Sequence, residues 1–355
     1  MSNIILVINP GSTSTKVALY KDEQPLFDEE IRHEHAELSQ YPDIISQRDY
    51  REKLILQCLE KNGYKLEQIT SIIARGGALR PIPSGTYRIN ARMLTDLEKC
   101  TYGVHASNLG ALLAWKIAQT INVKAYIVDP ITVCEMDEIA TVSGIPEIKR
   151  ESIFHALNHK AVARMAAEKL GKPYEECRFI VVHLGGGISV GAHRDGRVID
   201  VNNALNGDGP FAPTRCGSVP EWSLLKMAFA GKYGEKEFRQ KVMTGGGVSA
   251  YLGTSDIREV KHLIEAGDRR ARLIYDAMAY QVAKEIGSCS AVLEGRVDAI
   301  VITGGLARDN EFVELITRRV SFIADVMVFP GSDEMRALAL GAVRVADGRE
   351  EVKEY

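Results

Sequence analysis

Three glycine- and hydroxyl-rich segments of this 355-residue chain have the composition to hold phosphate. The first is Asn9-Pro10-Gly11-Ser12-Thr13-Ser14-Thr15-Lys16, whose small residues let N–H and O–H groups approach phosphate oxygens while Lys16 adds a point charge. It lacks the G-x(4)-G-K-[ST] order of a P-loop and precedes an expected strand, so an ordinary hairpin turn competes with the phosphate reading. The second is His183-Leu184-Gly185-Gly186-Gly187. The third, Thr303-Gly304-Gly305-Leu306-Ala307, follows an apolar run, where glycines let a flat ligand lie against backbone or simply turn the chain. His155 and His159 have the i, i+4 spacing of metal ligands, but no third ligand is evident and His159 is expected to pack on a helix. Asp129 ends an expected strand, a functional position in α/β proteins and a routine Asp-Pro terminator. Glu334 suits a helix N-terminus, and Arg75 and Arg215 are by default surface charges or local ion pairs.

The elements that carry these residues repeat. Ile4 to Ile8, Lys16 to Tyr20 and Leu26 to Arg32 read as an antiparallel three-strand meander, and Phe179 to His183, Ile188 to His193 and Arg197 to Val201 as a second one about half a chain later. Helical spacing is expected over 106–121, 156–170 and 271–286, with Gly171 closing the second helix, and strands over Ala125 to Val128 and Ala299 to Ile302. The chain is therefore α/β and duplicated. Equivalent turns of two such units could hold the two ends of a triphosphate. The domain boundary is placed near residue 150, in the loop around Gly144-Ile145-Pro146.

Composition excludes other classes. Apolar residues make up 45% and charged ones 26%, which is ordinary for a globular chain of about two domains. A net charge of −3 offers no field for nucleic acid or an anionic membrane. Six scattered cysteines without a C-x-x-C pair, and no signal-like or spanning segment, lead to the expectation of a reduced, cytoplasmic protein.

The motif order on a duplicated α/β frame resembles the sugar kinase, Hsp70 and actin superfamily. That resemblance implies two duplicated RNase H-like domains, the actin-like ATPase fold, around a central nucleotide cleft. Within it, Asn9-x-Gly11-Ser12-Thr13-Ser14-x-Lys16, Arg75-Gly76-Gly77, Phe154-His155, His183 to Gly187 and Thr214-Arg215-Cys216-Gly217 are similar to the acetate and butyrate kinase family, from Asn9 to about Gly341. Pro10, where acetate kinases tend to carry Ala, and the shorter chain point to the butyrate and branched-chain side.

The resemblance implies an ATP-dependent, magnesium-dependent carboxylate kinase that forms butanoyl or isobutanoyl phosphate and ADP reversibly by in-line transfer. Acetate or propionate kinase is the alternative; a sugar kinase or an Hsp70- or actin-like binding protein is more remote. A carboxylate is already a nucleophile at neutral pH, so such a site needs positive donors rather than a general base. Asn9, Arg75, Asp129, His155 and Arg215 would be catalytic, the arginines neutralising the transferring phosphoryl and His155 donating to it. Ser12, Thr13, Lys16, His183, Gly185, Gly186, Gly187, Gly304, Gly305 and Leu306 would contact ATP or ADP, with Asp256 and Arg258 on the adenosine side. Gly76, Gly77, Val104 and Phe154 would line the acid site, and Glu334 and Asp129 would serve Mg²⁺.

Residues 1–150, joined by the C-terminal helix at about 336–355, would carry the acid and phosphate-1 functions, and 151–335 the nucleotide. A homodimer is the expected minimum unit. Two departures stand out: Gly186, where acetate kinases usually have Asn, and Gly76-Gly77-Ala78, where they are bulkier. The small volume of the latter is expected to leave room for a four-carbon acid, room that Gly77→Val would fill in favour of acetate.

Overall fold

The computed structural model describes residues 2–331 and 333–355. The chain forms two compact units, Met1–Val133 with Asp333–Tyr355, and Cys134–Ser332. The crossing at Val133 precedes the Gly144-Ile145-Pro146 loop.

In the first unit β1 (Ile4–Pro10), β2 (Ser14–Lys21) and β3 (Gln24–Arg32) form the antiparallel meander. Next come β4 (Ser71–Arg75), β5 (Thr86–Arg88) and β6 (Lys124–Val128). The sheet order is C-terminal strand Lys353–Glu354, β5, β6, β4, β1, β2, β3, with β1, β4 and β6 mutually parallel. Near-continuous apolar runs such as Ile4 to Ile8 are what a strand covered on both faces requires. Alternation assigns the faces: Leu6, Ile8, Ile72, Ala74 and Ile127 share a core with helix Asn108–Ile121. Ile5, Val7 and Ile73 lie on the other side, and Asn9 and Arg75 continue their rows.

The second unit repeats this plan. Its strands β7 (Arg178–Leu184), β8 (Ile188–Arg194), β9 (Arg197–Val201), β10 (Ala299–Gly304) and β11 (Val326–Pro330) lie in the order β11, β10, β7, β8, β9. This matches β6, β4, β1, β2, β3 of the first unit, with antiparallel meander and parallel extension alike. Ile180, Val182, Ile300 and Ile302 pack with residues of helix Arg269–Val292. Phe179, Val181, Ala299 and Val301 pack with helix Ala156–Leu170, which ends at Gly171 in the left-handed conformation. Two α/β units of one topology form the actin-like ATPase fold.

Among the described residues, burial favours the neutral form of His33, His159 and His193. His33 is lowered to about 4, chiefly by desolvation and then by Arg51, and burial holds His159 and His193 well below the usual histidine range. Below about pH 6.5 an unfolded histidine binds a proton that the folded one refuses, so stability falls with pH from about 6.5 towards 4. Each group can contribute up to ~1.4 kcal/mol per pH unit. Thermal melts between pH 8 and 4.5 should show a plateau above pH 7 and a steep decline below 6.5. A flat profile from 7 to 5 would show that these rings protonate in place.

Candidate active site

In the first unit the parallel strands deliver their carboxyl ends to one edge of the sheet. Ile8 is level with Ala74, and Arg75 with Val128, so Asn9, Arg75 and Asp129 follow on neighbouring strands. Asn9 and Arg75 lie on the face reached by the N-terminus of helix Glu334–Ala346. There Asn9 Nδ2 donates to Glu334 Oε2 at 2.7 Å and Arg75 approaches the same oxygen at 3.4 Å. Lys16 is directly opposite Asn9 and shares its face. Asn9 and Arg75, from distant parts of the chain, thus converge on one oxygen of Glu334.

Asp129 is buried with φ +39°, and its Oδ1 accepts from Ser84 Oγ at 2.6 Å and Gly85 N at 2.8 Å. A left-handed backbone at a strand end is a costly conformation for a residue with a Cβ, and these bonds hold it.

The Gly11-to-Thr15 turn is held from beneath by Arg51 of helix Arg48–Lys61, a residue outside every motif of the sequence. Its guanidinium is fully buried and donates to the carbonyls of Gly11 at 2.7 Å, Ser12 at 3.1 Å and Ser14 at 3.1 Å, and to Thr15 Oγ1 at 3.1 Å. Burial lowers it to about 10, so it stays charged at neutral pH. In a trans-planar peptide the next N–H points opposite the carbonyl. With the Gly11 and Ser12 carbonyls turned to Arg51, the N–H groups of Ser12 and Thr13 face away from it, on the exposed side of the turn. That polarity suits an anion.

The room expected beside Gly77 is absent. A Cβ on Gly77 would lie 2.6 Å from Asn108 Oδ1 and 2.7 Å from Leu97 Cδ2, and one on Gly76 2.6 Å from Pro130 Cβ. These glycines admit helix Asn108–Ile121 and the Asp129-Pro130 turn at close range, and they open no space for an acyl chain. Gly77→Val should therefore lower the melting temperature by several degrees, at a cost of about 1–3 kcal/mol for overpacking. Its butyrate-to-acetate preference should match the wild type's. A stable variant with a shifted preference would restore the acyl-pocket reading.

In the second unit His183 ends the β7 row of Phe179 and Val181, facing helix Ala156–Leu170. Its Nδ1 lies 2.6 Å from Asn158 Oδ1, and its ring stacks on His155 with centroids 3.8 Å apart and planes 9° from parallel. Thr303 is paired with His183 on the neighbouring strand, so the Gly304-Gly305-Leu306 turn leaves the sheet beside the Gly185-Gly186-Gly187 turn. Gly304 has φ +94°, and a Cβ there would overlap the Leu184 backbone.

Arg215 lies against the Gly187 position, where a Cβ would collide with its guanidinium. Its NH1 group donates to the Ala204 carbonyl at 2.7 Å, Thr214 Oγ1 donates to the Gly186 carbonyl at 3.0 Å, and burial lowers the guanidinium. Arg215 Nε is buried without a hydrogen-bond partner among the described residues. A Cβ on Gly186 would meet open space.

Phe154 is buried edge-on against His159 at 5.0 Å, whereas Val104 is 75% exposed. Asp256 caps helix Ile257–Glu265 and pairs with Arg258 at 2.6 Å, with the arginine exposed.

Two units of one topology, each with a glycine-bearing turn after its first strand and an arginine against that turn, have the actin-like ATPase architecture. A family model described as the acetokinase family matches residues 142–327, more than half of the chain. The chain belongs to that family, whose phosphoryl acceptor is a carboxyl group.

Solved structures agree in fold. The acetate kinase of Porphyromonas gingivalis is 21% identical with a TM-score of 0.78, over 97% of this chain and 100% of that one. A propionate kinase of Francisella tularensis is 22% identical with a TM-score of 0.75, over 96% and 98%. The acetate kinase of Entamoeba histolytica is 19% identical with a TM-score of 0.77, over 96% and 98%. Among the described residues no helix is long and apolar enough to cross a membrane.

Proposed function

We propose that this chain transfers the γ-phosphoryl group of ATP, reversibly, to the carboxylate of a short-chain acid, and that the acid is butyrate or isobutyrate. The observation that carries the transfer is Arg215: a buried guanidinium beside a glycine turn whose Nε has no partner among the described residues. A phosphoryl oxygen satisfies such a donor, and more strongly as equatorial charge develops. Arg75 supplies the same function from the first unit, and Asn9, Ser12, Thr13 and Lys16 position phosphate there. His155 and His183 donate from the second unit. Gly185 to Gly187 and Gly304 to Leu306 bind the nucleotide, and Asp256 and Arg258 lie on its adenosine side.

The donor chemistry fits magnesium. Glu334 and Asp129 are hard oxygen ligands. Among the described residues no group of three or more His, Cys, Asp or Glu is placed to hold a metal, and Mg²⁺, which completes its shell with water and phosphate oxygens, needs only one or two carboxylates. When bound, the ion would be held by these carboxylates and would offset the charge of the phosphates. Glu334→Gln should raise the magnesium concentration for half-maximal rate by about tenfold or more. An unaltered magnesium titration would remove Glu334 from the metal site.

The four-carbon acid is supported by Pro10 after Asn9, a departure from the acetate kinase pattern. Acetate or propionate is the second reading, favoured by the filled space at Gly77. A hydroxamate assay with ATP and Mg²⁺ across acetate, propionate, butyrate and isobutyrate decides. A butyrate or isobutyrate kcat/KM tens of fold above acetate is expected, from about 1–3 kcal/mol per methylene. A preference for acetate overturns the acid and leaves the transfer standing; no product from any acid overturns the transfer.

A further inference from the structure

The helix Ala156–Leu170 face of the second sheet holds a row of polar side chains that phosphoryl transfer does not itself require. His155 Nδ1 lies 2.9 Å from Ser189 Oγ, and the same oxygen lies 2.8 Å from His159 Nε2. His159 Nδ1 lies 3.3 Å from His193 Nε2, and His193 Nδ1 lies 2.8 Å from the Tyr174 hydroxyl. Strand alternation places the row: Ser189 pairs with His183 and His193 with Phe179, so both face the helix. Ser189, His159 and His193 are fully buried. Side chains this deep must use their hydrogen-bonding capacity on one another.

A buried hydroxyl must spend its one hydrogen, and with Ser189 donating to one of its two rings the count leaves two arrangements. Burial keeps His159 and His193 neutral, and each neutral ring has one N–H and one lone pair. If Tyr174 donates to His193, then His193 donates to His159, His159 to Ser189, and Ser189 to His155 Nδ1. If Tyr174 accepts, every bond reverses, and His155 Nδ1 carries the proton. A phenol O–H is more acidic than a neutral imidazole N–H, and an imidazole nitrogen is the better base, which favours O–H to N. The Lys160 Nζ and the Arg164 guanidinium over the Tyr174 ring, 5.5 and 5.8 Å from its centroid, draw electron density from the phenol and strengthen it as a donor.

We propose that the Tyr174 hydroxyl sets the direction of this four-bond row, so that neutral His155 keeps its proton on Nε2. Tyr174, His193, His159 and Ser189 are then positioning residues. Resting on the reading of His155 as a phosphoryl donor, the row ensures that His155 presents N–H at Nε2 whether charged or neutral. Reversed, a neutral His155 would present a lone pair to a phosphate oxygen and repel it. Stacking on His183 and the bond to Ser189 together oppose a ring flip.

Nitrogen-15 histidine NMR of the full chain without substrate at pH 8 tests this, with His155 identified by its loss in His155→Gln. Wild-type His155 should carry its proton on Nε2. Tyr174→Phe removes one hydroxyl and should turn His155 into a mixture of tautomers. Its kcat should fall in proportion to the population lost, on the order of two- to tenfold, with KM for ATP unchanged. Wild-type His155 protonated on Nδ1, or an unmoved His155 tautomer in folded Tyr174→Phe, overturns the proposal. The tautomer result is independent of acyl phosphate formation, so failure of the hydroxamate assay would count against the phosphotransfer reading alone.

Discussion

Arg215→Ala should lower kcat about a thousandfold or more and leave ATP binding within a few-fold of the wild type. A guanidinium on a transferring phosphoryl group acts mainly in the transition state, where charge on the equatorial oxygens is greatest, so its loss falls on kcat rather than on the ground-state complex. The adenosine contacts proposed at Gly304, Gly305, Asp256 and Arg258 are untouched by the change. Some stability is lost too, because the Ala204 carbonyl loses its donor, at a cost of about 1–3 kcal/mol. Arg215→Lys should recover little activity, since an ammonium does not reproduce the planar fork. Arg75→Ala should behave alike in kcat, although Glu334 then keeps Asn9 as a partner without the cation. The measurements are single-turnover rate, ATP affinity by calorimetry and a melting curve for each variant. Wild-type kcat in both folded variants would sink the proposed mechanism.

Arg51→Met should be the most damaging change outside the proposed catalytic residues. The substitution keeps much of the side-chain volume but strips the Gly11, Ser12 and Ser14 carbonyls of their donor. Ser14 retains the Gly11 N–H at 2.7 Å, so the hairpin can close, but its peptides lose what fixes their polarity. Removing a buried charge with this many partners costs about 3–5 kcal/mol, and at that size expression at low temperature is advisable. In protein that folds, KM for ATP should rise by about tenfold or more, because Ser12 and Thr13 N–H groups no longer face the phosphate as a set. A folded variant with wild-type KM and melting temperature would show that the turn holds its shape unaided.

Much of the frame was legible along the chain because period-2 and period-3.6 patterns are local. Both meanders, helices Asn108–Ile121 and Ala156–Leu170 and strand β10 lie within a few residues of their expected limits. Short β5 and the C-terminal strand were not read, because two or three residues carry too little pattern to separate a strand from a loop, and β11 was not read either.

The motif turns and the order in which they occur belong to the sequence by itself, as does the duplication. Contacts between residues hundreds of positions apart belong to the tertiary structure. Nothing local brings Asn9, Arg75 and Glu334 to one oxygen, or distinguishes Arg51, buried under a turn, from the exposed charges around it. Nor does glycine spacing reveal whether an absent side chain leaves a pocket or is replaced by a neighbour. At Gly77 the space belongs to Asn108 and Leu97, and at Gly187 to Arg215. The reason is geometric. Alternation states which side of a strand a residue faces, but only the packed sheets and helices determine what stands there to meet it.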